Sequence, residues 1–199
     1  MIWFLHIPHT GGRGLGRFLW CKEIPHLKIH NGVDFLNAHI NINKNKIPDY
    51  KYFILRDPIE RGYKEFLHYS SRLDVVETIN HLNISDILKK NPNFNHKDPK
   101  DYFALEINRN LLCKFLLEKE DFSIPLTEKE YCSININNFI FDFFTDLPNL
   151  PNLRKLLNTD IIVPNIGISQ QKEIPLEIRK IIEHYNNFDL LLYSQFLYL

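Results

Sequence analysis

Phe4-Leu5-His6-Ile7-Pro8-His9-Thr10-Gly11-Gly12-Arg13-Gly14-Leu15 decides how this chain folds. Residues 2–7 are mostly apolar without clean alternation, as in a central parallel strand covered on both faces. A glycine turn follows. From Gly11 to about Cys21 the apolar residues Leu15, Phe18 and Leu19 recur at helical spacing. Strand, glycine turn and helix start in this order present backbone N–H groups to a phosphate.

A second unit of the same kind lies further along, Tyr52-Phe53-Ile54-Leu55-Arg56-Asp57-Pro58-Ile59-Glu60-Arg61. Here an apolar strand delivers Arg56 to its C-terminal end. Asp57 suits a helix N-cap, Pro58 the first helical position, and Glu60 can close a capping box onto residue 57. Ile59, Tyr63, Phe66 and Leu67 supply the buried stripe of that helix. Two anion sites are implied.

The rest of the chain reads more coarsely. Residues 27–30 and 33–40 are strand or loop, 89–100 an exposed loop with two prolines, 101–117 a helix, and 139–144 an aromatic strand. A short helix over 150–157 and a long one from Pro175 to about Tyr198, interrupted near Asn186-Asn187, complete the pattern. Strands alternating with helices predict one α/β domain over residues 1–199, a three-layer sandwich around a parallel sheet.

Composition narrows the function. Lys+Arg and Asp+Glu number 24 each, so there is no global positive field to draw nucleic acid, and any anion site is local. Three cysteines, Cys21, Cys113 and Cys132, lack metal-ligand spacing and fit free thiols in a reducing compartment. No apolar run approaches the ~20 residues of a membrane span, and no leader is visible before the first strand. A cytoplasmic protein is expected.

Together the two units resemble the nucleotide-binding elements of sulfotransferases that use 3'-phosphoadenosine 5'-phosphosulfate (PAPS). The first is similar to the 5'-phosphosulfate loop, usually Pro-Lys-Thr-Gly-Gly-Thr/Ser-Ser. The second is similar to the 3'-phosphate motif, usually Leu-Arg-Asp-Pro-x-x-Arg-x-x-Ser. The nearest branch is the carbohydrate type that includes heparan and uronyl 2-O-sulfotransferases. Asn108-Arg109-Asn110-Leu111-Leu112 also resembles the Asn-x-Gln-Thr-Arg-x-Leu helix of bacterial members, and Asp189-Leu190-Leu191-Leu192-Tyr193 their closing Asp-x-x-Leu-Tyr. The resemblance implies a P-loop, nucleotide-kinase-like sulfotransferase fold, PAPS as donor, PAP as product, no metal, and a hydroxyl-bearing acceptor such as a glycan.

It also implies roles. The backbone of Thr10, Gly11, Gly12, Arg13 and Gly14, with the Thr10 hydroxyl, would hold the 5'-phosphosulfate. Arg56 would take the 3'-phosphate, since guanidinium gives bidentate contacts and stays charged. His9 stands where the family has the lysine that follows the departing bridging oxygen. Either His9 serves as imidazolium, or Arg13 or Arg17 supplies the cation, or nucleotide binds without turnover. Lys64 replaces the family's serine, as a point charge on the 3'-phosphate or an exposed helix residue. Arg61 pairs with Glu60 or Glu65 in a structural reading. His39, in Asn37-Ala38-His39-Ile40-Asn41, matches the general base, a task suited to histidine near neutral pH. His6 reads as a core residue, and His26 and His30 are weaker candidates. The alternatives are a PAP-binding protein without catalysis and a small-molecule phosphotransferase. The latter is disfavoured by the lack of Gly-x-x-x-x-Gly-Lys-Ser/Thr.

Overall fold

A computed structural model describes residues 2–22, 24, 26–30, 33–36, 49–71, 84–119, 121–147, 149–160 and 173–199. Five strands form one sheet: β1 Ile2–Leu5, β2 His26–His30, β3 Val33–Leu36, β4 Tyr50–Leu55 and β5 Phe139–Phe143. Their order is β3-β2-β1-β4-β5. The β2-β1-β4-β5 body is parallel, as expected, and β3 departs from it as an antiparallel edge strand on β2.

Alternation along the central strands builds two buried faces. Ile2, Phe4, Tyr52 and Ile54 pack with Leu15, Phe18 and Leu19 of α1 (Gly12–Cys21) and Leu153 of α7 (Pro151–Leu157). Leu5, Phe53 and Leu55 point the other way, against α5 (Leu111–Leu116) and α9 (Asn187–Phe196). α2 (Pro58–Ser70) joins α4 (Pro99–Ala104) and α8 (Leu176–Tyr185) in a third cluster around Ile59, Tyr63, Phe66, Phe103 and Ile182. Helices thus cover both sheet faces. α3 (Ile84–Lys90) and α6 (Glu128–Cys132) are peripheral.

Two expected elements are corrected. The loop predicted over 89–100 starts later, because Lys89 and Lys90 form the last turn of α3, and it ends at Pro99, which opens α4 behind the Asp98 cap. The helix predicted over 101–117 is broken into α4, a 3-10 turn at Glu106–Asn108, and α5. The break is at Asn110, whose φ of 48° is left-handed. Its side-chain oxygen accepts hydrogen bonds from the N–H groups of Phe188 and Asp189 at the start of α9. In return the Asp189 carboxylate accepts from the N–H groups of Leu112 and Cys113. Each helix start caps the other, and periodicity carries no trace of such a long-range exchange.

Among the described residues no helix is long and apolar enough to cross a membrane. Cys21, Cys113 and Cys132 are free thiols.

Candidate functional site

β1 and β4 lie side by side and parallel, so the turn after β1 and the Arg56 segment after β4 open at the same edge of the sheet. Strand order reverses between them. β1 is followed outward by β2 and β3, whereas β4 leads to β5 on the opposite side. In open α/β sheets this reversal leaves a crevice at the C-terminal ends of the strands, where ligands bind.

The turn has a defined shape. His9 (φ 63°) and Gly11 (φ 84°) are left-handed, with Thr10 between them. This alternation directs successive N–H groups to one side. The Thr10 hydroxyl donates to the Ile7 carbonyl at 2.7 Å, fixing the turn from inside. Gly14 N–H donates to the Gly11 carbonyl at 3.1 Å, so this expected ligand donor instead closes the first turn of α1. The N–H groups of Gly11 and Gly12 have no acceptor among the described residues.

Both glycines have local reasons. A Cβ on Gly11 would lie 2.7 Å from Leu147 Cδ1, on a backbone that L-residues rarely adopt. A Cβ on Gly12 would lie 1.7 Å from His6 Cδ2. His6 is therefore the buried neighbour of the turn, as expected of a core residue.

Arg56 reaches the turn. Its Nη1 donates to the His9 carbonyl at 2.9 Å, Nε approaches Glu60 Oε2 at 3.4 Å, and the guanidinium lies 4.2 Å from the centre of the Phe144 ring. Nη2 makes no hydrogen bond among the described residues. The N-cap and first helical position of the following helix are as the sequence predicts, with Asp57 Oδ1 accepting from the N–H groups of Ile59 and Glu60.

α2 adds His68, which the sequence reading did not single out. Arg61, Glu65 and His68 share one face at helical spacing. Arg61 Nη1 donates to Glu65 Oε2 at 2.6 Å, in a pair whose side chains are 2% and 1% exposed. The expected pairing of Arg61 is therefore with Glu65. The His68 ring meets the His9 ring edge-on, 5.3 Å between centroids. The 61-65-68 spacing in the sequence was the signal, visible only once α2 is known to turn this face toward β1.

His9 is half-buried, and burial lowers its pKa to about 4. Glu65 raises it, while His68, Arg61 and Arg56 lower it. The imidazole is neutral at pH 7 in the ligand-free protein. Arg17 is exposed on α1, and Lys64 is half-buried on α2 next to Glu65. Arg13 belongs to the first turn of α1. His39 lies outside the described residues. No group of His, Cys, Asp and Glu side chains among the described residues is arranged to hold a metal ion. No family model matches the chain, and no curated protein or solved structure matches it either.

Proposed function

We propose that the chain is a PAPS-dependent O-sulfotransferase with a P-loop, nucleotide-kinase-like fold, acting on a carbohydrate hydroxyl. The observation that carries this reading is the pair of N–H groups, on Gly11 and Gly12, that lack acceptors among the described residues at the N-terminus of α1, beside Arg56 at the strand-order reversal. An anion there gains the backbone donors and the positive end of α1 together. Nη2 of Arg56 is left to meet the 3'-phosphate, while Nη1 holds the turn.

In the reaction the acceptor oxygen attacks sulfur in line, the bond from sulfur to the bridging phosphate oxygen breaks, and PAP leaves. His39 takes the acceptor proton. Charge on the departing oxygen is met by the turn and by His9, provided the bound anion converts it to imidazolium.

The second reading, a PAP-binding protein without turnover, is favoured by the neutral state of His9 in the free protein. Incubation with labelled PAPS and a panel of sugars separates the two. Transfer that is lost in His39→Ala while PAP affinity persists supports the enzyme. PAP binding with no transfer to any sugar supports the binding protein. Absence of PAP binding removes both.

A further inference from the structure

β5 runs beside β4 in parallel register with Leu55 opposite Phe143, so Arg56 and Phe144 leave the sheet as neighbours. Phe144 opens a 3-10 turn, Phe144–Asp146, at the same sheet edge as the glycine turn. This segment is clipped at both ends: the Asp146 carboxylate accepts from the Phe143 N–H at 3.2 Å, and the Phe144 carbonyl from the Leu147 N–H at 3.3 Å. The ring so held meets both other parts of the site. Its Cε2 lies 3.7 Å from where a Cβ on Gly11 would stand, and the Arg56 guanidinium carbon lies over the ring, 4.2 Å from its centre. Arg56 has few polar contacts of its own for a side chain only 8% exposed: Nη1 donates to the His9 carbonyl, and Nε reaches Glu60 only at 3.4 Å. One good hydrogen bond leaves the guanidinium free to turn about it, and Glu60, one helical turn away, carries a carboxylate that could take both arms of the fork. An aromatic face against the cation removes that freedom and adds an attraction that strengthens as water is excluded.

We propose that Phe144 is a positioning residue that holds the Arg56 guanidinium off Glu60, keeps Nη2 for the 3'-phosphate, and so sets the preference for adenosine nucleotides that carry one. This rests on the reading of the crevice as a nucleotide site. An apolar side chain without a π face fills the same space but neither attracts nor orients a guanidinium. With leucine at 144, Arg56 is shared with Glu60, and an incoming 3'-phosphate has to displace that carboxylate. Nucleotides that lack the 3'-phosphate do not draw on Nη2. Their hold on the N–H groups of Gly11 and Gly12 is independent of the ring, because the Thr10 hydroxyl and the Gly14 N–H tie the glycine turn down from within.

The test is titration calorimetry of PAP and of adenosine 5'-monophosphate, which lacks the 3'-phosphate, with the wild type and variants at position 144. Phe144→Leu should weaken PAP by about 5–30-fold, the span of a largely buried cation–π contact, and the monophosphate by less than about twofold. Phe144→Met, also without a π face, should show the same pattern, and Phe144→Tyr, which keeps the ring, should restore PAP affinity. On an Arg56→Ala background, where no cation lies over the ring, Phe144→Leu should change PAP affinity by less than about twofold. Equal losses for the two nucleotides, or a loss that persists in Arg56→Ala, make Phe144 a packing residue of the turn and overturn the proposal. Undiminished PAP affinity in both Phe144→Leu and Phe144→Met overturns it too, and leaves the nucleotide site standing. No heat with PAP in the wild type removes the nucleotide reading along with it.

Discussion

At the residue scale the turn is governed by two contacts, the Gly12 backbone on the His6 ring and the Arg56 guanidinium on the His9 carbonyl. Gly12→Ala forces a methyl into the imidazole and should destabilise the protein by about 1–3 kcal/mol, the range for overpacking a buried site. Adding His6→Ala should recover part of this, which a double-mutant cycle from urea denaturation measures. His9 also sets a pH dependence. Its pKa is about 6.5 in an unfolded chain and about 4 in the fold. As pH falls below 6.5 the unfolded state binds a proton that the folded state refuses, so this contribution to stability is present above 6.5 and is lost as pH falls toward 4. His9→Asn should lose less stability than the wild type between pH 7 and pH 4.5 in denaturant titrations. Equal losses would place His9 outside the buried site. The glycines and arginines of both motifs were legible in the sequence, whereas the burial that neutralises His9 was not, since it depends on α2 folding over it.

At the element scale, the sequence reading succeeds where a local signal exists. Asp57 and Pro58 predicted where α2 starts, because the cap and the first turn are adjacent in the chain. The interruption at Asn186-Asn187 was likewise visible and separates α8 from α9. The break at Asn110 was not, because its cause lies some eighty residues away in the start of α9. Asn110→Ala removes acceptors for two main-chain N–H groups and puts a non-glycine, non-asparagine residue at a left-handed φ. A loss of about 2 kcal/mol in thermal or chemical unfolding is expected. A neutral effect would mean that the mutual capping of α5 and α9 adds nothing.

At the scale of the whole molecule, alternating strands and helices predicted an α/β sandwich, and the sheet has that form apart from the reversed edge strand β3. Strand order is invisible in composition or period, yet it is what brings residues 9–13 and Arg56 to one crevice. The central claim is that these two segments grip one adenosine bisphosphate. Titration calorimetry of the wild type and Arg56→Lys with PAP tests it most directly. Lysine keeps the charge but loses the planar fork that holds the His9 carbonyl and stacks on Phe144. The account predicts saturable binding of one PAP per chain, weakened about 10–100-fold in Arg56→Lys, the loss of one charge-assisted contact. No heat with the wild type, or equal affinity in the two proteins, would contradict it.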